Sequence, residues 1–121
     1  MILVDTSVWE DHLRRGEEGL SALLNGGQVL SHPFVIGELA CGNLRNRSEV
    51  LDLLHKLPQA PLASQEEVSF FVESNALMGQ GIGFVDAHLL ASTALVGASR
   101  IWSYDKGLSR VASDLKLDYQ A

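Results

Sequence analysis

Short apolar runs alternate with longer stretches of helical period along this chain. Ile2–Val4 runs straight into Asp5, and a short continuous apolar run of this kind suits a strand buried in a parallel sheet. Ser7 and Glu10 have the spacing of a capping box, which predicts a helix opening there and running towards Arg15. Glu17–Leu24 reads as a second helix, stopped by Asn25-Gly26-Gly27. Gln28–Ser31 reads as a second strand. Pro33 suits a first helical turn, and the helix it opens is expected to reach about Leu44.

Ser48 is the expected cap of a further helix, with Val50, Leu51, Leu53, Leu54 and Leu57 as its apolar stripe and Pro58 ending it. Ser64 and Glu67 make another capping box, for a helix carrying Val68, Phe71, Val72 and Leu77. Gly79, Gly81 and Gly83 punctuate a loop. Phe84–Val96 is apolar almost all round and is expected to be deeply buried. Arg100–Ser103 is a third strand, a short helix follows Asp105, and Leu117–Tyr119 is expected as a last edge strand. Strands separated by helices predict right-handed crossovers and an α/β fold with a mainly parallel sheet covered on both faces. Neither a repeat nor a linker breaks the pattern, so residues 1–121 are expected to form one domain.

Composition changes this picture little. Of the 121 residues, 46% are hydrophobic and 20% charged, an ordinary globular balance that excludes disorder. The longest apolar runs fall short of the ~18 residues a membrane span needs, so no membrane partner is expected. Met1-Ile2-Leu3-Val4 meets Asp5 with no basic segment before it, unlike a signal peptide. The single Cys41 cannot form an internal disulfide, which fits the cytoplasm. Net charge is −6, which weighs against a nucleic-acid partner. Arg14, Arg15, Arg45 and Arg47 nevertheless cluster in two short pairs, so an acidic chain can still present a basic rim.

The candidate chemistry lies in four carboxylates. Asp5 ends the first strand and Asp105 closely follows the third. Ligands of open parallel sheets gather beyond the carboxyl ends of strands. Either residue could instead be a plain helix N-cap. Asp86 is the one charged residue between Gly81 and Ser99, in an otherwise apolar helix. Burying an unpartnered carboxylate costs several kcal/mol, against ~0.5–1 kcal/mol recovered from the helix dipole, so a metal or a cation is the better explanation. Glu38 has Phe34, Val35, Cys41 and Gly42 as its helical neighbours, an apolar face, and its helix begins just after the second strand. A surface glutamate paired with Arg45 is the plainer alternative. Four acids drawn to one sheet edge, with few nitrogen or sulfur ligands, select Mg²⁺ or Mn²⁺ over Zn²⁺ and suit phosphodiester hydrolysis.

The same residues carry a resemblance. Val4-Asp5-Thr6-Ser7-Val8-Trp9, Ile36-Gly37-Glu38-Leu39, Asp86-Ala87-His88-Leu89-Leu90-Ala91 and Ser103-Tyr104-Asp105 resemble, in order, the four acidic motifs of VapC-type PIN-domain toxins. In the last of these the family more often has Thr than Ser. The resemblance implies a sheet of about five parallel strands and Mg²⁺ or Mn²⁺ held by Asp5, Glu38, Asp86 and Asp105. It further implies cleavage of single-stranded or loop RNA of the tRNA or rRNA class to leave a 5′-phosphate. A homodimer and a small VapB-type antitoxin lying across the site belong to the same expectation.

On this reading Asp5, Asp86 and Glu38 bind the first metal, and Asp105 orients water or a second ion. Thr6 and Ser7 supply hydroxyls nearby. Arg14, Arg15, Arg45, Arg47 and Lys106 are the candidates for phosphate contact. His88 is read as structural, and Trp9 is the large apolar residue expected under the antitoxin. A haloacid-dehalogenase phosphatase would need Asp where Ser7 stands, and a receiver domain would need paired acids at Asp5-Thr6. The remaining alternative is a degenerate PIN domain that binds without cutting.

Overall fold

The computed structural model describes residues 1–121. Three strands form one parallel sheet: β1 (Ile2–Val4) lies between β2 (Val29–Leu30) and β3 (Arg100–Trp102). Leu3 pairs with Leu30 on one side and with Ile101 on the other. All three residues of β1 are buried, and successive strand residues point to opposite faces, so both faces of the sheet are covered. Seven helices provide that cover: α1 (Thr6–Arg15), α2 (Glu18–Asn25), α3 (Pro33–Ala40), α4 (Arg47–Lys56), α5 (Gln65–Ser74), α6 (Phe84–Leu95) and α7 (Lys106–Asp114).

The expected sheet of about five strands is corrected to three. Gln28–Ser31 contracts to two residues, and the outer segments contribute one bridge each, Ser31 with Gln59 and Ile101 with Asp118. Pro58 and Pro61 flank Gln59-Ala60, and proline cannot donate to a ladder. On the other edge the Leu117 carbonyl accepts from the Ile101 N–H and the Tyr119 N–H donates to the Ile101 carbonyl, after Lys116 turns the chain at φ 59°.

Local chemistry explains the other departures. Asp5, not Ser7, occupies the N-cap position of α1, because the helix begins at Thr6 and the Ser7 hydroxyl is used elsewhere. Asn46 in the left-handed region, not Ser48, caps α4. Helix α3 stops at Ala40 instead of reaching Leu44, its terminal carbonyl taken by the Arg47 guanidinium at 2.9 Å. The Ser64–Glu67 capping box is present in both halves, at 3.0 and 2.9 Å. Loss of such a cap costs about 1 kcal/mol.

The core gathers on β1. Val8, Leu20, Leu39, Leu54, Leu89, Leu90 and Leu108 pack against the strands with no exposed surface or almost none. Each such side chain stabilises the fold by about 1.5–3 kcal/mol. Trp9 joins them at 1% exposure, which overturns its expected place on the surface. Its indole N–H finds no acceptor. Helix α6 is buried from Ala87 to Thr93 but leaves its first turn open, with Phe84 55% exposed and Asp86 half-buried. The deep burial expected of the whole helix holds only for its middle. No helix is long and apolar enough to cross a membrane.

Candidate active site

Because the three strands are parallel, their carboxyl ends face one edge. Asp5 follows β1 directly, its backbone N–H bonded to the Trp102 carbonyl at 2.9 Å. Asp105 lies three residues past β3 and caps α7, accepting from the Leu108 N–H at 2.9 Å. Glu38 lies in the second turn of α3, exposed, and accepts from the Thr6 hydroxyl at 2.8 Å. The apolar face of that helix is instead Val35, Ile36 and Leu39, so Glu38 projects from the opposite side to the one its neighbours suggested. Asp86 lies in the first turn of α6 and accepts from the Gly83 N–H at 3.3 Å.

A close approach brings the last two acids together. A Cβ on Gly107 would stand 3.2 Å from the Gly81 carbonyl, tighter than an ordinary contact, so the glycine eases the approach of α7 to the loop that leads into α6. Arg110 fastens the same loop through the Gln80 carbonyl. The electrostatics register the convergence. Burial pushes the Asp86 carboxyl up from its ordinary value, the Gly83 N–H opposes this, and the charges of Asp5, Asp105 and Glu38 each push it further up. Three other acids therefore lie near enough to act on the Asp86 carboxyl.

Asp5 is the anchor. It is 7% exposed, and its Oδ2 accepts from the Ser103 hydroxyl at 2.7 Å and the Ser7 hydroxyl at 2.9 Å. Each serine in turn accepts a backbone N–H of the β3–α7 loop, Ser7 from Tyr104 and Ser103 from Asp105, both at 3.0 Å. Each hydroxyl thus directs its one proton to Asp5 and accepts from the backbone. Asp5 Oδ1 accepts nothing from the protein and is left for a cation or water. The donor set is oxygen alone, as hard divalent cations require. No three His, Cys, Asp or Glu side chains are grouped as around an ion. The fit therefore rests on donor chemistry and on the shared repulsion that a cation would relieve.

The PIN domain family matches residues 2–114, nearly the whole chain and all four acidic segments. The chain belongs to the PIN domain family. Ribonuclease VapC32 of Mycobacterium tuberculosis, in strains CDC 1551 / Oshkosh and ATCC 25618 / H37Rv, is 47% identical over 114 residues. That match covers 94% of this chain and 92% of the relative.

The remaining expected residues of this PIN domain divide clearly. Arg15 is held at 2.9 Å and Arg14 at 3.5 Å by Asp11, which is buried beneath them. Arg47 is committed to the Ala40 carbonyl, Arg45 has no partner, and Lys106 is exposed at the start of α7. His88 is buried between Phe34 and Phe84, edge-on to each ring at 4.7 Å. Burial lowers its basicity, so it packs as a neutral ring.

Sequence reading misses what two serines hold: Ser7 is offered as a cap or as a hydroxyl near the metal and Ser103 as a variant threonine, and both donate to Asp5 Oδ2. The signal was present in mirror image: a hydroxyl two residues after Asp5 and another two residues before Asp105. Tyr104 was passed over as well. Its hydroxyl donates to Glu17 at 2.8 Å, and burial with the Glu17 charge pushes its pKa up to about 12.

Proposed function

We propose that residues 1–121 form one PIN domain that acts as a divalent-metal-dependent endoribonuclease. In this reading it is the toxin of a VapC-type pair, cutting RNA of the tRNA or rRNA class in the cytoplasm. The observation that carries the reading is Asp5 at the carboxyl end of β1, its carboxylate held by Ser7 and Ser103, with Asp105 capping α7 just past β3. Nearly half-identity to a named ribonuclease along almost the full length of both chains supports it.

Asp5, Asp86 and Glu38 would hold a Mg²⁺ or Mn²⁺ ion, with Asp105 beside them orienting water or a second ion. When bound, such an ion supplies an activated water and charge stabilisation at the phosphate. The protein's part is positional. Ser7 and Ser103 hold the Asp5 carboxylate through Oδ2 and leave Oδ1 without a protein donor, and Thr6 fixes Glu38. Asp105 is held by the Leu108 N–H through one oxygen, leaving the other free to accept from water.

An antitoxin of the VapB type would silence this site by bringing Arg or Lys to the acids. With Trp9 buried, the exposed Phe84 beside Asp86 is the apolar surface such a segment would cover. A homodimer completes the assembly we propose. Incubating the purified protein with single-stranded RNA in Mg²⁺, Mn²⁺ or EDTA tests the reading. Metal-dependent products with 5′-phosphate ends are expected. RNA binding without cleavage in any metal would assign the chain to the degenerate alternative.

A further inference from the structure

We propose that the groove between α1 and α3 carries the RNA backbone away from the acid cluster, with Arg14 and Arg45 as its phosphate ligands; this rests on the ribonuclease reading. Two cavities of about 620 and 650 Å³ share Glu10 and Glu38 as a common wall. The first opens at Thr6, Phe34 and Val85, with Glu38 of the candidate site in its wall. The second continues along α1 past Arg14 to Arg45 in the α3–α4 loop. Thr6 and Arg14 are eight residues apart on one helix, so the groove extends ~12 Å from the site along α1.

A polyanion laid across Glu38 and Glu10 is repelled unless cations meet it further on. Arg14 and Arg45 are the only Lys or Arg side chains lining either cavity. Arg45 has no partner within the protein, and Arg14 holds Asp11 only at 3.5 Å with its side chain 76% exposed. Both are therefore available, whereas Arg47 and Arg110 are tied to backbone carbonyls. The guanidinium fork matches phosphate oxygens in pairs. The walls near Phe34 and Val85 suit a base or sugar instead. A protein segment that delivers cations to the acids would meet two further cations at this end, so the groove favours an anionic chain.

The test measures binding of a fluorescein-labelled single-stranded RNA dodecamer in EDTA, where it stays uncleaved, across a salt series. Each lost phosphate contact lowers the slope of log K against log salt by ~0.7 for single strands. Arg14→Gln with Arg45→Gln is expected to flatten the slope by ~1.4 while leaving the far-ultraviolet spectrum and melting temperature unchanged. Arg100→Gln with Lys116→Gln removes the same charge at the opposite end of β3 and leaves the slope as in the parent. A parental slope in the groove variant overturns the proposal while sparing the ribonuclease reading. Failure of the parent to bind RNA in EDTA overturns the proposal, and failure of the parent to cleave RNA in Mg²⁺ or Mn²⁺ overturns the reading on which it rests. Poly-glutamate binding that matches the RNA in strength, and in its loss on substitution, would assign the groove to an acidic protein segment and also overturn the proposal.

Discussion

Replacing Ser103 with Ala removes one donor from the buried Asp5 carboxylate without touching an acid. The lost bond is the shorter of the two, 2.7 Å, and is charge-assisted; such bonds contribute about 1.5–3 kcal/mol. Two features reduce the cost. Ser7 still donates at 2.9 Å, and the Asp105 N–H that loses its acceptor lies where water can replace it. A destabilisation of about 1–2 kcal/mol is therefore expected in urea denaturation with EDTA. Ser7→Ala is expected to cost a similar ~1–2 kcal/mol. The double variant leaves a carboxylate at 7% exposure with no side-chain donor and should exceed the sum of the singles by at least ~0.5 kcal/mol. Titration calorimetry with Mn²⁺ should show affinity reduced ~10–100-fold by either single change, because the ligand loses its orientation. Ser103→Thr keeps the hydroxyl and should restore both quantities. Parental stability and parental Mn²⁺ affinity in Ser103→Ala would refute the claim that these hydroxyls hold Asp5.

Three further outcomes follow from the same geometry. The Asp86 carboxyl is raised, so its ionised form opposes folding above the folded pKa and ceases to do so once it is protonated at low pH. In EDTA at neutral pH, Asp86→Asn should then be more stable than the parent by ~0.5–1 kcal/mol after screening at this half-exposed position, and the gain should vanish as pH falls through the carboxylate range. Urea midpoints across pH check this. Burial and the neighbouring His88 lower the His32 pKa to about 4, so between pH 6.5 and 4 the unfolded chain takes up a proton that the folded chain refuses. Stability should drop by ~2–3 kcal/mol over that window, and His32→Gln should flatten the drop in pH-dependent denaturation. Thr6→Val removes the exposed bond to Glu38 and should cost under ~1 kcal/mol in stability yet lower the cleavage rate ~10-fold, which parallel melting and rate measurements would separate.

The parts of this molecule legible in the sequence are those governed by local period or by burial. Ile2–Val4 is a continuous apolar run, Ile101-Trp102 is a short apolar pair behind Arg100, and Ser64 with Glu67 is a local motif; each lies where its pattern indicates. The isolated charge of Asp86 marked it as a candidate site residue because nothing else in α6 could neutralise it. Longer-range choices escaped. Whether Gln59 or Asp118 extends the sheet depends on partners far away in sequence. Ser7 looks like a cap until Ser103, 96 residues distant, is seen to share the same carboxylate. Trp9 illustrates the opposite error, since proximity to the site said nothing about which face of α1 it occupies. Glu38 was read by its neighbours' hydrophobicity, yet the helix turns its apolar side away from it.

The acids at the strand edge are held to carry phosphodiester hydrolysis, and Asp5 is their anchor. The direct measurement is the rate of single-stranded RNA cleavage in Mg²⁺ by the parent and by Asp5→Asn, both shown folded by circular dichroism. The account predicts a loss of ~10²-fold or more in the variant, because a metal ligand is gone, and abolition of parental cleavage by EDTA. Cleavage by Asp5→Asn at the parental rate, or cleavage that persists in EDTA, would contradict it.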